Sequence, residues 1–174
     1  TKEGSKFRVK AAVVQEHRER SMLDGQIHNI PQVADIIREV KEKLERKART
    51  TLTKVAVAAA GRALKTKKAS AEKEISPSKE IDREEVLALE ADAVQEAENM
   101  IVTGRDKPGE YHCVGYSVVK YTLDGSSIGY LVGQRGYRMG VEIVATFLPR
   151  VVVDSLVSAL RWAGLEIGSL TLEP

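Results

Sequence analysis

The chain has 174 residues and a mass of 19.1 kDa, with 43% hydrophobic and 30% charged residues, a globular composition that fits one domain or two small ones and excludes disordered and fibrous classes. No apolar run approaches the ~20 residues a membrane span requires, residues 1–6 hold no apolar signal core, and the single cysteine, Cys113, excludes an internal disulfide and a multi-cysteine zinc site; together these point to a reducing compartment, the cytoplasm. The net charge of +2 conceals two opposed halves, +8 over residues 1–80 (19 Lys/Arg against 11 Asp/Glu) and −6 over residues 81–174.

In chain order, Phe7, Val9, Ala11 and Val13 alternate with Arg8, Lys10 and Ala12, the period of a strand with one buried face, and Gly4-Ser5 before them reads as a hairpin turn. A polar link holding Asp24-Gly25 leads to a helix with Asn29 as N-cap and Pro31 in the first turn. Val33, Ile36, Ile37, Val40 and Leu44 form its apolar stripe, and Arg38–Glu42 and Lys41–Glu45 are i,i+4 pairs on its wet side. The run Lys54–Gly61 reads as a central strand packed between layers or as a buried helical turn. Arg62–Ser76 reads as an exposed edge strand whose lysines at 65, 67, 68 and 73 discourage edge-to-edge pairing.

A second helix is predicted from Asp82 to Ile101. Asp82 with Glu85 three residues on forms a capping box, and Val86, Leu89, Ala93, Val94, Ala97, Met100 and Ile101 form the apolar face. Strand patterns follow at His112–Leu123 and Tyr137–Phe147, separated by a glycine-rich loop from Asp124 onward. Pro149 opens a third helix with Val152, Val153, Leu156, Val157 and Leu160 on one face and Gly164 after its C-terminus, and Ile167, Leu170 and Leu172 make a closing strand. The order β-α-β-β-α-β-β-α-β makes an α/β chain with mixed sheets.

The chemistry-bearing residues are sparse. His17, His28 and His112 have no metal-ligand spacing, and His112 and Cys113 point to opposite faces of one strand. Ser126 and Ser127 lie in no G-x-S-x-G context, and the acidic residues of the second helix read as a solvated face, so neither a catalytic nor a metal site is predicted. The segment Gly129–Gly136 lacks the Lys-Ser/Thr ending of a phosphate loop and leads into a strand pattern. Gly133-Gln134-Arg135-Gly136 matches the G-x-x-G of a KH domain, where such a loop clamps a nucleic-acid backbone. A KH loop joins two helices, however, and the residues after this one alternate at period two. A KH-like or other basic nucleic-acid-binding module using Gly133–Gly136 is therefore the alternative reading. The basic half lacks stacking aromatics between Lys10 and Lys79, and its charge is balanced by the acidic half.

Four stretches resemble the FtsA-like bacterial actin-like ATPase family, which includes FtsA and PilM. Met22-Leu23-Asp24-Gly25-Gln26-Ile27-His28-Asn29-Ile30 is similar to the family's G-x-I-x-D-I start of its first helix, and Val55-Ala56-Val57-Ala58-Ala59-Ala60-Gly61 to its V-x-V-G-I-S-G strand. Leu131 to Met139 is similar to P-x-G-M-x-G-x-R-L, and Arg161-Trp162-Ala163-Gly164-Leu165-Glu166 with Leu172-Glu173-Pro174 to R-A-G-L-E-V-x-x-x-V-L-E-P.

The resemblance implies a partial ribonuclease-H-like (actin-like) subdomain from residues 1–61 and 150–174, with residues 62–149 as the small inserted β-α-β-β subdomain that serves the family for protein interaction. It further implies a fragment lacking both phosphate loops, so that no cofactor is bound here, while ATP and Mg²⁺ belong to the intact parent. The implied function is non-catalytic assembly in cell division or a related membrane-associated machine. The partners are proteins and neighbouring protomers, with homodimerisation through an uncovered sheet edge and without nucleic acid; the chain lies in the cytoplasm with its parent peripheral on the inner membrane face. Gly133, Gln134, Arg135, Gly136, Tyr137 and Arg138 are the predicted interaction surface.

Overall fold

The computed structural model describes residues 2–3, 6–17, 20–23, 25–59, 64–102 and 109–172. In chain order its elements are β1 (Lys2–Glu3), β2 (Lys6–Phe7), β3 (Met22–Leu23), β4 (Gln26–Ile27), α1 (Ile30–Ala48), β5 (Lys54–Ala59), β6 (Lys65–Glu74), α2 (Arg83–Ile101), β7 (Tyr111–Leu123), β8 (Ser126–Ile128), β9 (Arg138–Pro149), α3 (Arg150–Trp162) and β10 (Glu166–Leu172). They form two compact units, one from Thr1–Ala63 with Val151–Pro174, the other from Leu64–Arg150. No helix among the described residues is long and apolar enough to cross a membrane.

In the first unit, α1 begins as its sequence dictates. The Asn29 side chain accepts from Gln32 N–H at 3.1 Å, and Pro31 occupies the first turn, where a missing N–H costs nothing. Val33 and Ala34 are buried. The i,i+4 pairs predicted on its wet side do not form. Arg38 binds Asp35 at 2.7 Å and the Trp162 carbonyl at 3.0 Å, Lys41 donates to the Gly164 carbonyl at 3.1 Å, and Glu45 accepts from Leu52 N–H at 2.8 Å. The last carbonyls of a helix lack intrahelical partners and draw cations, and here the end of α3 takes both from α1. α3 ends in a Schellman motif: Gly164 has φ 69°, its N–H reaches Arg161 O at 3.0 Å, and Leu165 N–H reaches Leu160 O at 2.9 Å.

Two further predictions for this unit are corrected. β5 pairs in parallel with β10 alone among the described residues, with Val55 and Val57 half-buried and Ala56 and Ala58 exposed, so it is covered on one face and not between layers; Ala60 and Gly61 lie outside the described residues. The strand predicted from Phe7 to Val13 stops at Phe7, where β2 pairs with β1 as a minimal hairpin. Beyond it Val9 is 81% exposed. Alternation says which side chains share a face; it does not supply the neighbouring strand that a ladder requires.

The second unit is an antiparallel sheet of order β6-β9-β7-β8 with α2 on one face. Met139, Val141, Ile143, Ala145 and Phe147 of β9 are all buried, as the alternation requires, against Val86, Leu89, Ala93, Ala97 and Ile101 of α2. The capping box of α2 is complete: Glu85 N–H donates to Asp82 Oδ1 at 2.9 Å and Asp82 N–H to Glu85 Oε2 at 3.0 Å. β6 is the predicted edge; Arg62 lies outside the described residues. Part of the predicted glycine-rich loop is strand, because Asp124 and Gly125 adopt φ 48° and 81°, a tight hairpin turn that folds Ser126–Ile128 back on β7 as β8. Pro149 does not open the third helix but ends β9, opposite Tyr111.

Candidate functional site

Residues 133–137 lie in the connection from β8 to β9 and Arg138 opens β9, so this is no KH-type loop between helices. Gly133, at φ 82°, turns the chain and donates its N–H to Ile81 O at 2.9 Å, while Ile81 N–H donates to Gln134 O at 2.9 Å. Gln134 N–H donates to Leu131 O at 3.0 Å and Leu131 is buried, so the start of the segment is fixed to the residues that enter α2. Its exit is fixed by Asp124, whose Oδ1 accepts from the N–H groups of both Tyr137 and Arg138 at 2.8 Å. Four backbone donors that a phosphate group would need are thus committed within the unit.

The six predicted residues divide accordingly. Gly136 is buried, and a Cβ there would stand 2.7 Å from Leu123 Cδ1 and 2.8 Å from Asp124 Oδ2, so its role is close backbone approach. Gly133, Gln134, Arg135, Tyr137 and Arg138 are not buried. Arg135 pairs with Glu80 at 3.0 Å with both side chains exposed. Tyr137, 70% exposed, and Arg138 line an open cleft of about 680 Å³ with Glu72, Glu74, Thr122 and Asp124. Five of the six are therefore exposed, flanking the buried Gly136, with one aromatic side chain, Tyr137, and two arginines, Arg135 and Arg138, that lie near Glu80 and Glu72.

On the sheet face away from α2, Glu142 ties three strands together, reaching Lys68 of β6 at 2.6 Å and Lys120 of β7 at 3.6 Å; the Lys68 hydrogen bond foremost holds its carboxyl below the usual range. Lys65 lies over the Tyr111 ring, 4.3 Å from its centroid, and hydrogen-bonds the phenol oxygen. No group of three His, Cys, Asp or Glu side chains suited to a metal ion occurs among the described residues.

One residue was missed by sequence reasoning and its reading is corrected here. Glu90 of α2 is not on the solvated face: it is buried, accepting hydrogen bonds from Tyr116 at 2.6 Å and Tyr121 at 2.5 Å. Both phenols are pushed up to about 12, Tyr116 first by its hydrogen bond to Glu90 and Tyr121 first by burial. The signal was positional, since Glu90 stands four residues after Val86 and three before Ala93, on the apolar stripe.

No protein-family model matches the sequence, and no curated protein does. Among solved structures, the chain is similar to a chain of a PilM-PilN type IV pilus biogenesis complex, with a TM-score of 0.60 and 19% identity over 95% of this chain. The chain has a PilM-like fold. It spans 40% of the length of that PilM-PilN chain. The expected FtsA/PilM-like architecture is thereby supported at the level of the fold.

Proposed function

We propose that this chain is the non-catalytic protein-interaction and assembly part of an actin-like ATPase of the FtsA/PilM class. It acts in the cytoplasm, on the inner face of a bacterial membrane, in type IV pilus biogenesis or a related assembly such as cell division. The likeness to a PilM-PilN complex over 95% of the chain carries the reading. The sequence-interrupting unit Leu64–Arg150 supports it as the inserted interaction subdomain, and the exposed Arg135, Tyr137 and Arg138 are its contact residues. The partners are a PilN-type protein and neighbouring protomers. Nucleotide and Mg²⁺ are held by the intact parent.

Isothermal titration tests both halves of the proposal. Mg·ATP should give no binding to this chain. A PilN-type protein from the same cells should bind, and the Arg135→Glu, Tyr137→Ala double variant should weaken that binding at least about tenfold, or about 1.4 kcal/mol. Tight ATP binding, or equal affinity for the double variant, would refute the proposal. Salt-sensitive binding of single-stranded RNA without protein binding would replace it with the nucleic-acid alternative.

A further inference from the structure

We propose that the basic surface at the C-terminal end of α1 in one copy of this chain docks on the exposed stripe of α2 in a second copy, giving salt-sensitive head-to-tail association. The inference goes beyond the function proposed above and uses surfaces other than Arg135, Tyr137 and Arg138, so its failure would leave that reading standing.

The donor surface is built on α1. Residues 12–15 lie beside its last turns, where Lys43 Nζ donates to Gln15 Oε1 at 2.8 Å and Lys47 Nζ to the Ala12 carbonyl at 3.4 Å. Burial alternates along this stretch. Ala11, Val13 and Gln15 are half-buried, which leaves Lys10, Ala12 and Val14 together on the outer face, Val14 being 91% exposed. Arg46, Lys47 and Arg49 are exposed at the end of α1, where a helix C-terminus favours cations. Lys10, Arg46, Lys47 and Arg49 form no ion pair among the described residues. The surface thus sets uncompensated positive charge around an exposed apolar side chain.

The acceptor has the opposite charge. Glu84, Leu87, Ala91, Val94 and Glu98 recur at i, i+3, i+7, i+10 and i+14, so they share one stripe of α2, ~21 Å long. Leu87 is 49% exposed and lines, with Ala91, Val94 and Glu98, a recess of about 410 Å³. Asp92 is exposed on the same helix. Glu84, Asp92 and Glu98 form no ion pair among the described residues. The stripe therefore has an apolar middle and a carboxylate at each end. The two surfaces match on both counts: Val14 meets the apolar recess, and the cations around it meet the carboxylates that flank it. Either surface would repel its own copy, so each selects the other. A nucleic-acid ligand is disfavoured, because no Phe, Tyr or Trp lies between Lys10 and Lys79 to stack on a base. Because donor and acceptor are different surfaces, the contact is heterologous and propagates into chains or rings.

Sedimentation velocity of the full chain across a wide concentration range, at low and at high salt, provides the test. Wild type should form oligomers that grow with concentration, and salt should weaken them at least about tenfold, because exposed charges are screened. The Lys10→Glu, Arg46→Glu double variant reverses the donor, and the Glu84→Lys, Glu98→Lys double variant reverses the acceptor; none of the four side chains is buried. Each variant, folded by circular dichroism, should associate at least about tenfold more weakly than wild type. An equimolar mixture of the two should associate as wild type does, because every donor then finds an acceptor of opposite charge on the other variant. Wild type that stays monomeric, variants that associate as wild type does, or a mixture that stays apart would each overturn the proposal. Salt-sensitive binding of single-stranded RNA to a monomeric wild type, lost in the Lys10→Glu, Arg46→Glu variant, would assign the basic surface to nucleic acid instead.

Discussion

Replacing Glu90 with Gln should lower both the stability of the Leu64–Arg150 unit and the pKa values of two tyrosines, and the two tyrosines should respond unequally. A hydrogen bond to a charged group contributes about 1.5–3 kcal/mol net. Tyr121 is half-buried and its bond to Glu90 warrants about 2 kcal/mol, whereas Tyr116 is 42% exposed and solvent screening reduces its bond to about 1 kcal/mol. Gln keeps the shape and a carbonyl acceptor but loses the charge, which is worth about half of each bond, so the variant should lose about 1.5 kcal/mol. With a urea m-value of about 2 kcal/mol/M, the midpoint should fall by about 0.7 M.

The pH dependence carries a sign. A phenol raised from 10 to about 12 binds its proton more tightly in the folded state, so its stabilisation is fully present below pH 10 and is lost as pH rises through about 12. In Glu90→Gln the Tyr116 value, raised first by the Glu90 bond, should fall towards 10 further than that of Tyr121, raised first by burial. Ring-carbon NMR shifts followed against pH resolve the two residues. Wild-type titration of both near 10, or equal values in wild type and variant, would refute the reasoning.

Four further substitutions probe the site and its support. Gly136→Ala should cost about 1–3 kcal/mol in urea unfolding, because the new methyl meets Leu123 and Asp124 in a buried position. Asp124→Ala removes the acceptor for two backbone N–H groups and should cost about 2 kcal/mol; amide exchange at Tyr137 and Arg138 should speed up. Asp82→Ala should cost about 1 kcal/mol by thermal melting, the usual value of a lost N-cap. Arg135→Glu should change stability by under about 1 kcal/mol, since its pair with Glu80 is exposed; any loss of partner binding in that variant then reports a contact and not unfolding.

Features fixed by neighbours in sequence were legible: the Asn29 cap, the Asp82–Glu85 box, the Gly164 ending and the alternating core of β9 each need only a few consecutive residues. Features that depend on a distant partner were not. Arg38 and Lys41 reach carbonyls more than 120 positions away, and neither pairs with the acid four positions further along the helix, Glu42 or Glu45. Gly136 is recognisable as a turn glycine, but the reason it must lack a side chain, Leu123 and Asp124, lies across a hairpin. Glu90 shows the same limit from the other side: its charge type argues for solvent, its helical position argues for the core, and only two tyrosines on β7 decide between them.

The residues from Phe7 to Val14 show the same limit most plainly. Their alternation reads as a strand, as that of β9 does, yet β9 has strands on both sides and no strand pairing follows Phe7 among the described residues. Pattern specifies the faces of a strand, while the ladder must come from elsewhere.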